Sequence, residues 1–306
     1  MAYPVAAGSP SYSGSFIPEI WSPKLQVKFY SATVFGEIAN TEYEGEIKAH
    51  GDRVRIRTIP SLTVRSYQKG QQLQTEQPEA SNIDLYINQG YYFQFAANDV
   101  DKVQSDLRLI DLWSKDASMQ LKIAVDTQIL GTVYSSVDSN NQGLTAGLRS
   151  QAFNLGVTGT PVALTKTNII DSILDLSVVL SEQNIPEEDR WVVLPAWACG
   201  LIKRSDLKDA SLTGDGKSIL RNGRIGMIDN FTIYASNNLT PVTDGSNTCY
   251  NMMAGHKSAI TFASQLVNME QLRNPQDFGD IIRGLHVYGF SVIKPQALAV
   301  LYGYKG

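Results

Sequence analysis

The sequence predicts an α+β protein with a projecting arm, and three observations carry that prediction. The first is the run from Thr167 to Lys203, in which Ile169, Ile170, Ile173, Leu174, Leu176, Val179 and Leu180 recur at helical spacing with Asp171, Ser172, Asp175 and Ser177 between them. Asn184-Ile185-Pro186 stops that helix, Glu187-Glu188-Asp189 fills the turn, Arg190 to Pro195 reads as a buried strand, and Ala196 to Lys203 reads as a short helix. The second is a longer helical pattern through Val100, Val103, Leu107, Ile110, Ala117, Leu121, Ala124 and Ile129. The third is a set of strand-like stretches in the last third of the chain.

In chain order, residues 1–15 are small and turn-prone and read as an arm. A helix is expected from about Pro18 to Asn40, with Ile20, Leu25, Val27, Phe29, Val34, Phe35 and Ile38 apolar and Pro23 marking a restart. Arg53-Val54-Arg55-Ile56-Arg57 alternates charged and apolar residues, the period of a half-exposed strand. The chain is expected to return through Ile83 to Ile87 and to continue that return through Gly90 to Phe95, making a long two-stranded excursion. Such a ribbon has too few large apolar residues to form a core and needs another surface to lie on. The long amphipathic helix runs from a cap at Asn98 or Asp99 to near Gly131, roughly 45 Å at 1.5 Å per residue. Residues 134–165, Gly- and Ser-rich and weakly patterned, read as loop, as does Leu207 to Gly226. Strands follow at Phe231–Ala235, Ala259–Ala263, Gly284–Val292 and Ala297–Tyr302.

At 306 residues and 43% hydrophobic, the chain is long enough for about two domains and too apolar for global disorder. A net charge of -4 argues against a dedicated nucleic-acid binder. Two cysteines, Cys199 and Cys249, make neither a disulfide framework nor a zinc cluster and read as free thiols. The amino terminus lacks the pattern of a signal peptide, and no apolar run approaches the ~18 residues of a membrane span.

This order of elements resembles the Hong Kong 97-type fold of tailed-phage major capsid proteins. Gly51-Asp52-Arg53-Val54-Arg55-Ile56 resembles the outgoing strand of that family's extended loop, and Tyr92 through Gln104 its return into the backbone helix. Ile185-Pro186 to Pro195 is similar to the start of its axial domain, and Asp229 to Tyr234 to a later strand there. The resemblance implies an arm and helix over 1–44, an extended loop over 45–98 and a peripheral domain with the backbone helix over 99–165. It further implies an axial domain over 166–258 and returning carboxy-terminal strands over 259–306. Its functional implication is a shell subunit, assembled in a host cytoplasm into hexamers and pentamers of an icosahedral virion capsid around double-stranded DNA. Scaffolding, portal and decoration proteins would be its further partners, and DNA contact would be non-specific. A bacterial nanocompartment shell protein of the same fold is the alternative. Neither reading involves a cofactor, a membrane or catalysis.

The chemistry-bearing residues are read against that background. Gly214-Asp215-Gly216-Lys217-Ser218 ends like a phosphate loop, but Ser211 stands where the first glycine belongs, so it reads as surface loop. His50, His256 and His286 have no local nucleophile-and-acid context, and His256 with Cys249 lacks further metal ligands. Asn98, Asp99 and Asp101 lack the glycine and glutamate of a calcium loop, and Glu187 to Asp189 read as a solvated turn. The charge cluster singled out is Arg53, Arg55, Arg57, Arg65 and Lys69, with Lys48 nearby. The first three share one strand face and are expected to contact a neighbouring subunit in preference to phosphate. Lys69, near the ribbon tip, invites comparison with family members that cross-link a loop lysine to a neighbour's asparagine, but no matching motif accompanies it.

Overall fold

The computed structural model of the protein describes residues 31, 33–42, 53–57, 60, 62–78, 82–99, 109–205 and 226–306. Its organising element is a mixed seven-stranded sheet. Along it run β4 (Val162–Leu164), β12 (Leu298–Lys305), β9 (Asn247–His256), β5 (Arg190–Leu194), β7 (Phe231–Ala235) and β6 (Met227–Ile228), with β8 (Pro241–Asp244) pairing β9 as a side branch. β5 lies parallel to β7 and β12 parallel to β4; the other pairs are antiparallel.

Both faces of this sheet are buried, and strand alternation divides its side chains between two cores. Val192 and Leu194 of β5, Met252 and Ala254 of β9, and Ala299 and Leu301 of β12 meet helices α3 (Ile169–Glu182) and α4 (Ala196–Arg204). Trp191 and Val193, Met253, and Leu298 and Val300 point the other way, onto Val125, Ile129 and Leu130 of the long helix α2 (Leu109–Thr132). Each fully buried aliphatic side chain contributes about 1.5–3 kcal/mol, so β5, with all five residues buried, concentrates stabilisation in a very short segment. Gly255 marks the closest approach of β9 to its neighbours: a Cβ there would lie 2.6 Å from Leu298 and 3.2 Å from Trp191.

α3 is held at both ends by side-chain chemistry. At its start the Asn168 carboxamide accepts from the Thr165 N–H at 2.7 Å and donates to the Ala163 carbonyl at 2.8 Å. At its end Asn184 adopts a left-handed φ of 57°, and the Ile185 N–H donates back to the Leu180 carbonyl. Arg190, 1% exposed, then reaches under the end of the helix. Its guanidinium donates to the carbonyls of Pro186 (2.8 Å), Ile185 (2.6 Å) and Ser177 (3.2 Å) and to the Ser181 hydroxyl (3.1 Å). A cation here also complements the negative end of the helix dipole.

A second, three-stranded sheet has the order β10 (Ile260–Arg273), β11 (Gly279–Val292), β3 (Gln89–Asn98). α2 lies across it, with Trp113 edge-on to Phe95 and Gln128 bonded to both Tyr288 and Gln89. Asp126, on the buried side of α2, accepts from the Val34 and Phe35 N–H groups at 2.9 Å and from the Asn238 amide at 2.7 Å. Burial raises its carboxyl above the usual range, against the pull of those three donors. A third unit, the pair β1 (Arg53–Arg57) and β2 (Asn82–Tyr86), rests its Val54, Ile56 and Leu85 on Ala263.

Several sequence expectations change. The helix expected to reach Asn40 is a single turn, α1 (Phe35–Ile38), because Asn40 instead pairs with Thr261 beside β10; residues 18–30 lie outside the described residues. Gly90 to Phe95 does not continue the ribbon: β3 leaves it after Ile87 and pairs with β11, putting Tyr91, Phe93 and Phe95 on its half-buried side. The start of the long helix, 100–108, lies outside the described residues. Residues 134–165 are not plain loop but hold two short 3-10 turns, β4 and the buried side chains Ala146 and Leu155. β9, near the centre of the main sheet, and β8 were not anticipated, and β10 and β11 are each 14 residues long, more than expected.

Arg190→Met should keep the packing volume but remove the guanidinium bonds to the Pro186, Ile185 and Ser177 carbonyls and the Ser181 hydroxyl. The expected loss is roughly 3 kcal/mol of subunit stability, read from urea unfolding.

Candidate functional site

The ribbon carries the residues singled out from the sequence, and its pleat sorts them as expected. Val54 and Ile56 are buried, while Arg53, Arg55 and Arg57 share the exposed face. Asp84 stands opposite on β2, accepting from Arg55 at 3.2 Å, Arg53 at 3.4 Å and the Tyr86 hydroxyl at 3.2 Å. The Arg55 hydrogen bond is the main cause that holds the Asp84 carboxyl below its usual range. Arg57 has no carboxylate partner among the described residues.

Beyond the paired strands, residues 62–78 form an open loop exposed along its whole length. Arg65 bridges it to Glu76 and Gln74, and the Thr63 N–H also bonds Glu76. Lys69 and Gly70 form the turn at the tip, with Gly70 at a φ of 87° and the Gln71 N–H returning to the Gln68 carbonyl. Arg65 therefore has a different acidic partner from Arg53 and Arg55. It also presents four large apolar side chains that the charge-based reading passed over: Leu62 (67% exposed), Val64 (96%), Tyr67 (69%) and Leu73 (75%). Side chains like these, gathered on one projecting loop, mark an interaction surface.

The remaining candidates resolve into structural roles. Cys199 and Cys249 are buried free thiols, and burial pushes the Cys199 thiol up to about 11, far from a nucleophile's range. His256 Nδ1 accepts the Ser258 N–H at 3.1 Å and sits 2.8 Å from the Ser258 hydroxyl, capping the short turn Lys257–Ala259. His286 bonds the Ser264 hydroxyl and stacks on Tyr288. Asp99 pairs with Arg273 and Asn98 donates to Asp277, tying this point to the β10–β11 hairpin, while the helical turn that either residue was expected to cap lies outside the described residues. Asp101, His50, Lys48 and the 214–218 loop lie outside the described residues. Among the described residues no group of His, Cys, Asp and Glu could hold a metal ion, and no helix is long and apolar enough to cross a membrane.

The Asp84 cluster makes a pH prediction. Because the folded carboxyl titrates below its unfolded value near 3.8, its contribution is complete above that value and disappears as the pH falls through the folded one. Amide protection across β1 and β2 should drop in that acid range, and Asp84→Asn should abolish the pH dependence.

The comparisons with known proteins found a matching family model and similar solved structures. The sequence model of a phage capsid protein family matches residues 89–301. A solved chain of Mycobacterium phage Che8 is 30% identical, with a TM-score of 0.77 over 93% of this chain and 96% of its own. The capsid structure of cyanophage P-SCSP1u superposes with a TM-score of 0.71 over 95% of this chain and 94% of its own, at 14% identity. The capsid of a native GTA particle does so with a TM-score of 0.65 over 95% and 96%, at 12% identity. No curated protein matches the chain. A chain whose mixed helix-and-sheet fold extends over nine-tenths of the Che8 chain, and whose sequence fits the family from β3 to β12, belongs to the phage capsid protein family.

Proposed function

We propose that the chain is the major capsid protein of a tailed phage, built on the Hong Kong 97-type plan and serving a structural, non-enzymatic role. Copies join as hexamers and pentamers of an icosahedral shell, formed in the host cytoplasm, that encloses double-stranded DNA. The observation that carries this reading is the family match from residue 89 to 301. The seven-stranded sheet with α3 and α4 stands for the axial domain (166–258, with the returning strands of 259–306). The long helix stands for the backbone of the peripheral domain (99–165). The extended loop (45–98) follows the arm and helix (1–44), and β3, at its end, packs with the peripheral part through β11. Scaffolding, portal and decoration proteins are the kinds of further partner open to such a subunit.

In this reading the ribbon is a contact element between subunits, with Arg53, Arg55, Arg57, Arg65 and Lys69 setting its register and the loop's apolar side chains supplying buried area. The pairing of Arg53 and Arg55 with Asp84 supports such a role, since it holds both guanidinium groups in place before contact. A lattice sums many weak contacts of this kind, so each can be modest on its own.

Light scattering and negative-stain microscopy of the chain, alone and co-expressed with its neighbouring genes, test the assembly. Closed shells or capsomer-like rings are expected, and a chain that stays monomeric in both settings would overturn the reading. Exchanging Arg53, Arg55 and Arg57 together for Gln should impair assembly; normal shells that retain less DNA would instead assign these residues to phosphate. Replacing Leu62, Val64, Tyr67 and Leu73 with Ser should change subunit stability by no more than about 0.5 kcal/mol per site while reducing shell yield.

A further inference from the structure

The ribbon meets the body at a close backbone contact. Among the described residues β1 and β2 form a sheet of their own, sharing no ladder with the three-stranded sheet. They lie on the face of that sheet opposite α2. Val54, Ile56, Leu85 and Ile87 rest on Ala263 with Val287 beside them, whereas Tyr288, the next residue along β11, turns to the α2 side. The five buried side chains of this seat form a cluster apart from both cores of the body. Gly289 is the cross-strand partner of Ala263, so a glycine and an alanine lie side by side as its floor.

What Gly289 supplies is room, since its φ is not left-handed and its backbone conformation is open to any residue. A Cβ there would stand 2.1 Å from the Tyr86 carbonyl oxygen, 2.9 Å from its carbon and 2.8 Å from Ile87 Cδ1. The first two are backbone atoms that no rotamer change can move aside, so a larger residue has to lift β2 off β11. Within β11 a glycine is otherwise unfavourable, because it loses more conformational freedom and packs no side chain. Tyr86 lies opposite Arg53, and Asp84, two residues before it, holds Arg53 and Arg55, so the guanidinium groups move with β2. We propose that Gly289 is the positioning residue of the ribbon. With Ala263 it sets the height and direction at which β1, β2 and the 62–78 loop are presented to a neighbouring copy, while the body folds without this contact. The inference deepens the contact-element reading of the ribbon given above and rests on it.

The test compares Gly289→Ala with Gly90→Ala in the full chain. Gly90, on β3 in the same sheet, has room for a Cβ, whose nearest neighbours would lie 3.7 and 3.9 Å away, so it controls for the glycine-to-alanine change itself. In free subunits followed by amide hydrogen exchange, Gly289→Ala should speed exchange across 53–57 and 82–86 by roughly tenfold or more, with β5, β9 and α3 unaffected. Gly90→Ala should leave all of these unchanged. Leu85→Ala, which thins the seat from the ribbon side and leaves β11 intact, should release the same amides as Gly289→Ala. Where the unaltered chain forms shells, Gly289→Ala and Leu85→Ala should lower the yield and Gly90→Ala should not. Four results would overturn the proposal: unchanged ribbon exchange in Gly289→Ala, unchanged ribbon exchange in Leu85→Ala, exchange in Gly289→Ala that rises equally in β5, β9 and α3, or full shell yield from a released ribbon. An unaltered chain that forms no shells with its neighbouring genes present would overturn the assembly reading by itself. Exchange in free subunits would still decide whether Gly289 seats the ribbon.

Discussion

The structure depends on a sheet that is dry on both sides. β5 shows the constraint most clearly: Val192 and Leu194 serve the core under α3 and α4, Trp191 and Val193 serve the core under α2, and no residue of the strand faces water. In a strand with no solvent face every buried polar group carries a cost, yet β5 begins with an arginine. Arg190 is accommodated because the last turns of α3 and the turn that follows it present the Ser177, Ile185 and Pro186 carbonyls to its guanidinium. The buried cation and the helix end thus satisfy one another. The Asn184 turn and Pro186 before β5 follow from the need to bring the chain back to that point.

α2 gives the molecule its second axis. Its carboxy-terminal half is shared by the main sheet and the three-stranded sheet, so the two sheets are coupled through one rigid element. Asp126 adds the amino-terminal segment to this junction, holding Val34 and Phe35 on one oxygen and Asn238 on the other. A carboxylate kept dry against its own preference for water remains there only because three donors converge on it. What this framework leaves uncovered is as specific as what it buries. Among the described residues, the 62–78 loop combines exposed apolar side chains with the ordered Arg65–Glu76 pair.

The fully buried strand β5 was legible as a short unbroken apolar run bounded by turn residues, and other elements were legible because they keep one wet face. Helix α3, strand β7 and the alternating Arg53–Arg57 strand each display a clean period, because half of their residues meet solvent. β9 was missed for the converse reason. Asn247 to His256 mixes polar and apolar residues with no alternation, since its two sides enter two different environments and its neighbours supply the pairing. β3 was read as part of the ribbon because its Tyr-Phe alternation is equally good for either partner; only the long-range pairing with β11 separates the two.

For the interaction surface, the chain order carried the family resemblance, and the period-two arginines carried the exposed face of β1. The shared Asp84 and the exposed loop apolars were not legible. Each depends on what lies opposite in space, and sequence spacing reports only neighbours along the chain. The sequence by itself determined the local periods, the stop at Asn184-Ile185-Pro186 and the family order, because these follow from short-range sterics and amphipathic patterning. The tertiary structure alone decided which strands pair, where Arg190 and Asp126 find their partners, and which apolar faces remain uncovered, because burial is a property of the whole packed chain.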